Sequence, residues 1–207
     1  MHTFLVWKNK FSRKTQITLI VAASVIVVAF LAFIFSSLSG GGVPDTFSTS
    51  RQAASLYAQG IVSMLDETNK NITALQKGGV FKTRSEIADM ITAEIQKNKD
   101  IREKAIQLAL QLEQMAKDIP NISPDDAAQT ALVAISQETA LIAQLLSYNN
   151  DLNQLLILAQ EELVNGYRNY VAMNDIITKV NKGAQDINDL NGRFNDGLKK
   201  FDAFYGN

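Results

Sequence analysis

The feature that most constrains this chain is an apolar repeat with alternating three- and four-residue spacings, which runs from Ile135 to Tyr205. This spacing places the repeated side chains on one face of an α-helix, and its mean period of about 3.5 favours supercoiling against a partner stripe. As one helix, the stretch would be roughly 105 Å long. The repeat therefore predicts an all-α fold of long helices lying side by side, as a bundle or a coiled coil. Its members are Ile135, Glu138, Ile142, Leu145, Asn149, Leu152, Leu156, Ala159, Leu163, Gly166, Tyr170, Met173, Ile177, Val180, Ala184, Ile187, Asn191, Phe194, Leu198, Phe201 and Tyr205.

This stretch is compatible with two structures, one helix or two. Tyr148-Asn149-Asn150-Asp151 has the chemistry of a turn, which favours a break near 149–151. The phase of the repeat continues unchanged past these residues, which favours a single helix. We predict the break, because Asn and Asp suit turns better than helix interiors.

Two further helices precede this stretch. An apolar stripe from Ala54 to Leu75, with Thr46 or Ser48 as its cap, predicts a first helix that Gly78-Gly79 ends. Thr83-Arg84-Ser85-Glu86 matches a capping box and predicts the start of a second helix, which Pro120 ends. Ser123-Pro124-Asp125-Asp126 predicts a restart, with Ser123 as the cap and Pro124 at the first helical position.

An uncharged run at Ile17–Phe35 is long enough to cross a bilayer, because 19 residues span roughly 30 Å as a helix. Four basic residues at positions 8, 10, 13 and 14 precede it, which indicates a cytoplasmic N-terminus. We therefore predict a retained anchor, and a signal peptide cleaved near Ser37 or Ser39 is the alternative. The predicted organisation is a cytoplasmic tail (1–14), a transmembrane helix in contact with lipid (15–38), a flexible linker (39–47) and an extracytoplasmic helical bundle (48–207).

The composition argues against several kinds of chemistry. The chain has no cysteine, its only histidine is His2, and its net charge is −1, so thiolate or imidazole sites in the bundle and nucleic-acid binding are not expected. Asp125-Asp126 and Glu161-Glu162 are carboxylate pairs, but adjacent residues on a helix point in different directions. We therefore predict no catalytic residue, no cofactor, no metal site and no enzymatic activity.

Two groups of side chains allow a structural and a functional interpretation. Asn98, Asn149 and Asn191 lie on apolar stripes, where buried Asn would fix register, but we favour turns or partly exposed positions. The aromatic residues near the C-terminus suit core packing, which we favour, or an exposed edge that docks a partner. These residues are Tyr167, Tyr170, Phe194, Phe201, Phe204 and Tyr205.

The segment Arg193-Phe194-Asn195-Asp196-Gly197-Leu198-Lys199-Lys200-Phe201-Asp202 resembles a segment near the end of LemA-type proteins. The resemblance covers about ten residues. It implies an N-terminal membrane helix followed by a helical bundle of similar size. The other characteristic stretches of that family have no counterpart in this chain.

Taken together, these patterns predict a single-pass protein of the cell membrane whose helical body lies outside the cytoplasm. We expect a structural or adaptor subunit of a cell-envelope assembly that acts through protein partners or self-association. The alternative is a sensor or binding domain that holds a small molecule between helices.

Overall fold

The structure is a computed structural model that describes residues 42–77, 83–166 and 169–206. Helix accounts for 92% of these residues and they contain no strand, which confirms the all-α prediction. The four helices are α1 (Asp45–Lys77), α2 (Arg84–Asp118), α3 (Asp125–Asn165) and α4 (Tyr170–Ala203), and a 3₁₀ turn, Ile119–Asn121, follows α2. The predicted tail (1–14), membrane helix (15–38) and cleavage site lie outside the described residues. α1 begins at Asp45, inside the stretch predicted as a linker.

The helices run alternately up and down, and each packs on the next one in the chain. Lys97 on α2 reaches Glu67 on α1, and Asn149 on α3 donates a hydrogen bond to Asn98 on α2. The Ser123 amide donates to the Gly42 carbonyl, so the start of α1 lies beside the α2–α3 connection. We call the end of the bundle that holds Gly42 and Ser123 the proximal end. The opposite end, with the α3–α4 connection at Gly166, is the distal end.

Local chemistry explains most helix ends. The Glu86 amide donates to Thr83 Oγ1 (3.2 Å) and the Thr83 amide donates to Glu86 Oε2 (3.0 Å), which confirms the predicted capping box of α2. α2 ends at Asp118, just before Pro120, as expected from a residue that cannot continue a helix. The predicted cap of α3 is wrong, because its N-cap is Pro124 and no side chain caps it.

The predicted break near 149–151 is also wrong, since α3 is continuous from Asp125 to Asn165. Asn149 is 5% exposed, and its side-chain amide is used across the bundle instead of in a turn. The chain turns at Gly166, whose φ of 70° is in the left-handed region, and the Gly166 amide closes the helix by donating to the Glu162 carbonyl.

The core lies along α3, which is packed between α2 and α4. Its fully buried members include Leu141, Leu145 and Leu152, and Leu108 of α2 and Ile187 of α4 are buried to the same degree. Among the described helices, α3 is long and apolar enough to cross a membrane by length and composition, which is weak evidence for membrane association. Because its apolar face is covered by α2 and α4, we interpret α3 as the core helix of the bundle.

Candidate functional site

The proximal end holds a compact group of side chains from the first and last helices, here called the proximal clasp: Phe47, Arg51, Phe201, Asp202 and Tyr205. The Arg51 guanidinium donates to both Asp202 carboxylate oxygens, at 2.7 and 2.9 Å, and the two side chains are 6% and 14% exposed. A bidentate ion pair of this kind, with both side chains largely shielded from water, is stronger and more specific than a surface ion pair.

Aromatic packing surrounds this ion pair. The ring centroids of Phe47 and Phe201 are 5.6 Å apart, and those of Phe201 and Tyr205 are 5.4 Å apart. The Arg51 guanidinium carbon lies 6.0 Å from the centroid of the Phe201 ring, at the outer limit of a cation–π contact. The clasp therefore joins the start of α1 to the end of α4 by both charge and apolar contact.

The clasp is tied to the α2–α3 connection by Ser123. The Tyr205 hydroxyl donates to the Ser123 carbonyl at 2.8 Å, and the Ser123 amide donates to the Gly42 carbonyl at 2.9 Å. Burial raises the pKa of Tyr205, which keeps its hydroxyl protonated and able to donate. The residues that lead into α1 are thus held by two other parts of the bundle.

A second group of polar side chains crosses the interior in the distal half. We call it the polar layer, and it consists of Thr68, Glu94, Asn98 and Asn149, which are all buried. The Asn149 side-chain amide donates to Asn98 Oδ1 at 3.1 Å. The expectation of turn or partly exposed positions is therefore wrong for Asn98 and Asn149, and also for Asn191, which is 2% exposed.

The carboxylate of Glu94 is held at the edge of the polar layer by two donors. Asn71 donates to Glu94 Oε1 at 2.6 Å, and the Lys97 ammonium donates to the same oxygen at 2.9 Å. Lys97 also pairs with Glu67 at 3.0 Å. Burial lowers the pKa of Lys97, but the hydrogen bonds to Glu94 and Glu67 outweigh that effect and the pKa is raised overall. Lys97 is therefore a fixed positive charge that offsets the buried Glu94.

Glu138 is an acid in the apolar core of α3. It is 2% exposed, and its Oε2 has no hydrogen-bond partner among the described residues. Burial raises the pKa of Glu138 from 4.5 to about 8, so its protonated form predominates at neutral pH. The sequence showed Glu138 as an exception in the repeat, and the structure shows that the repeat nevertheless places it inside.

Exposed apolar side chains occur at the distal end, where we define the distal apolar patch as Val164, Tyr170 and Val171. Their exposed fractions are 71%, 46% and 73%. They flank the turn at Gly166, where α3 ends and α4 begins. Exposed apolar groups clustered at one place are typical of surfaces that meet a partner.

The C-terminal aromatic residues divide between the two interpretations. Phe194 and Phe201 are buried in the core, whereas Tyr170 and Phe204 are 46% and 44% exposed. Tyr205 is half-buried against the clasp, and Tyr167 lies outside the described residues. Core packing is therefore confirmed for the buried pair, and Tyr170 belongs to the distal apolar patch.

A groove of about 410 Å³ lies between α3 and α4 in the proximal half. Gln137 lines one wall, and Arg193, Asp196 and Lys200 line the other. At its floor Gly197 approaches α3 so closely that an added Cβ would lie 3.0 Å from Gln137 Oε1. The groove is open and its lining is mixed, with polar side chains beside apolar surface, so it suits a ligand that both hydrogen-bonds and packs.

The carboxylate pairs are far apart and do not form a site together. Asp125 and Asp126 are exposed in the first turn of α3, and Glu161-Glu162 lies in its last turns, roughly 50 Å away along the helix axis. The part of the chain that the structure describes contains no group of three or more acidic, His or Cys side chains that could hold a metal ion.

The fold places the described chain among antiparallel four-helix bundles. Searches of family models, curated proteins and solved structures find no match to this chain. The resemblance of residues 193–202 to LemA-type proteins therefore does not extend to a family match.

Proposed function

We propose that this protein is a membrane-anchored structural or adaptor subunit of a cell-envelope assembly. Residues 15–38 anchor it in the membrane, with the N-terminus in the cytoplasm and residues 48–207 outside. The helical body then presents the distal apolar patch to a protein partner. In this proposal the bundle acts as a spacer between the membrane and the contact surface.

The observation that carries the proposal is that the patch and the N-terminal attachment point lie at opposite ends of the bundle. The chain enters α1 at Asp45, and α1 has 33 residues, which corresponds to about 50 Å. At the distal end, Val164 and Val171 lie beyond the last residue of α1. They are the two most exposed large apolar side chains described. A surface held so far from the anchor is available to proteins and is remote from lipid.

The proximal clasp supports the same function by fixing the start of α1 to the rest of the bundle. A spacer can hold a surface at a fixed distance from its attachment point only if the helix that carries this point does not move relative to the rest of the bundle. Gly42 is bonded to Ser123, and Arg51 is bonded to Asp202, so the base of α1 is fixed to two other parts of the bundle. The start of α1 is therefore part of the same rigid unit as the rest of the bundle.

Site-specific photo-crosslinking in native membranes tests the proposal. A photoreactive amino acid at Val164 or Val171 is expected to yield a discrete adduct with another membrane or envelope protein. The matched controls are Asp126 and Asn121, which are exposed at the proximal end. Equal adducts from both ends, or none from the distal end, would count against the distal patch as the contact surface.

The orientation can be tested separately, because the chain contains no cysteine. A cysteine at Glu161, which is exposed, is expected to react with a membrane-impermeant maleimide in intact cells. A cysteine at Thr3 should react only after permeabilisation. The reverse result would place the bundle in the cytoplasm and refute the orientation.

A second candidate function, small-molecule binding, is favoured by the groove between α3 and α4. The side chains of Gln137 on one wall and of Arg193 and Lys200 on the other would suit a small ligand with several oxygen atoms. A ligand bound there would raise the melting temperature of the full-length chain, and Arg193→Ala would abolish that rise. A ligand that stabilises both proteins equally would exclude the groove as its site.

A further inference from the structure

We propose that the polar layer binds an internal water molecule, held by Thr68 of α1 and by Glu94 and Asn98 of α2. This inference does not depend on the proposed function. It rests on three side chains that are fully buried, with exposed fractions of 0%, 1% and 2%. In each of them one polar atom, namely Thr68 Oγ1, Glu94 Oε2 and Asn98 Nδ2, has no hydrogen-bond partner among the described residues.

The packing of α1 against α2 places these atoms at one level. Glu67 and Lys97 are paired at 3.0 Å, and Asn71 contacts Glu94 at 2.6 Å. Thr68 lies between Glu67 and Asn71 in the chain and is fully buried, so we infer that its side chain lies at the level of the turn of α2 that separates Glu94 from Asn98. Glu94 and Asn98 are four residues apart and therefore share the inner face of α2.

The other hydrogen-bonding oxygens of Glu94 and Asn98 already have partners. Glu94 Oε1 accepts from Asn71 and Lys97, and Asn98 Oδ1 accepts from Asn149. What remains is the amide nitrogen of Asn98, one carboxylate oxygen of Glu94 and the hydroxyl of Thr68. These three groups are the hydrogen-bonding complement of one molecule that can both donate and accept.

The chemistry of this set selects water over an ion. A bare cation would be repelled by the N–H of Asn98, and an anion would be repelled by the carboxylate of Glu94. Water can accept from Asn98 Nδ2 while it donates to Glu94 Oε2 and Thr68 Oγ1. Buried waters in proteins make about three such bonds, to groups that would otherwise be unsatisfied.

The sign of a stability change distinguishes a hydrated layer from a dry one. Thr68→Val keeps the shape of the side chain and removes only the hydroxyl. In a dry layer this removes an unsatisfied polar group, so the melting temperature rises. In a hydrated layer it removes a hydrogen bond to the water, and the melting temperature is expected to fall by about 2–4 °C.

The experiment uses the full-length chain in detergent micelles and compares Thr68→Val with Thr178→Val, an exposed threonine on α4. We expect Thr68→Val to lower the melting temperature and Thr178→Val to leave it nearly unchanged. A rise for Thr68→Val would overturn the proposal.

A high-resolution crystal structure of the unmodified chain provides a second measurement that does not depend on a variant. It is expected to show one ordered water within hydrogen-bonding distance of Thr68, Glu94 and Asn98. Thr68→Ser, which keeps the hydroxyl, should retain this water. A polar layer without water in the unmodified chain would contradict the proposal, whatever the variants do.

Discussion

The buried carboxyl of Glu138 makes the stability of the bundle depend on pH in a direction opposite to that of most acidic residues. Its pKa is 4.5 when exposed and about 8 in the folded bundle. Between these pH values the folded state binds more protons than the unfolded state, so stability falls as the pH rises. The contribution is complete below pH 4.5 and is lost by about pH 8.

The size of the effect follows from the width of this window. Each pH unit corresponds to about 1.4 kcal/mol for one proton, so the full window corresponds to about 5 kcal/mol. Glu138→Gln keeps the shape of the protonated acid and cannot ionise. We therefore expect the variant to lack this pH dependence and to exceed the natural chain in stability at pH 9.

The assay is urea unfolding of the full-length chain in detergent, followed by circular dichroism at pH 5, 7 and 9. The control is Glu113→Gln, because Glu113 is exposed and its hydrogen bond to Lys117 lowers its pKa. Stability from Glu113 is present above its unfolded pKa and is lost only as the pH falls below it, so this variant should leave the change in stability between pH 5 and 9 as it is in the natural chain. If Glu138→Gln and the natural chain lose stability equally between pH 5 and 9, the reasoning about Glu138 is wrong.

Four other substitutions test particular positions by the same unfolding assay. Arg51→Met leaves the carboxylate of Asp202, whose side chain is only 14% exposed, without its main partner and is expected to cost about 3 kcal/mol. Gly166→Ala forces a side chain into the left-handed region and should cost about 1 kcal/mol, whereas Gly192→Ala, at an exposed helical position with open space around it, should stabilise by about 0.5–1 kcal/mol. Asn149→Ala removes the donor to a buried amide oxygen on α2 and should cost about 1–3 kcal/mol.

A matched control for the clasp is Lys70→Met. Lys70 pairs with Asp66 on the surface of α1, where its side chain is 73% exposed, so we expect a change below about 0.5 kcal/mol. If Arg51→Met cost no more than Lys70→Met, the clasp would not hold the proximal end together. Likewise, equal effects of the two glycine substitutions would contradict the left-handed turn at Gly166.

The fold class and several helix ends were predictable because their causes are local. Apolar residues spaced by three and four force a helical face, and this pattern correctly predicted long helices side by side. The Thr83–Glu86 capping box and the stop at Pro120 involve residues within one or two turns of each other. Such signals are complete within a short window of sequence.

The break near 149–151 was wrongly predicted because Asn149 has the right chemistry for a turn and a different role in the bundle. Its partner, Asn98, is 51 residues away, so nothing near Asn149 in the sequence indicates the hydrogen bond. Gly166 offered a signal for the true turn, but it shares the stretch with other glycines that lie within α4.

The clasp was missed for the same reason. Arg51 and Asp202 are 151 residues apart, and each is an ordinary charged residue on an otherwise amphipathic helix. Only the antiparallel order of four helices brings the start of α1 beside the end of α4. Packing also explains the burial of Glu138, because any side chain at that position of the repeat faces the core.

The proposed function requires the bundle to hold its distal apolar patch about 60 Å from the point where the chain enters α1. A spin-label distance between Asp45→Cys and Val164→Cys in the full-length, otherwise cysteine-free chain tests it most directly. Both positions are exposed, and we predict a single distance of about 60 Å, from the length of the 41-residue α3, whose start lies beside that of α1. A distance below about 30 Å would mean that α3 folds back before its end, and the bundle could not then act as the proposed spacer.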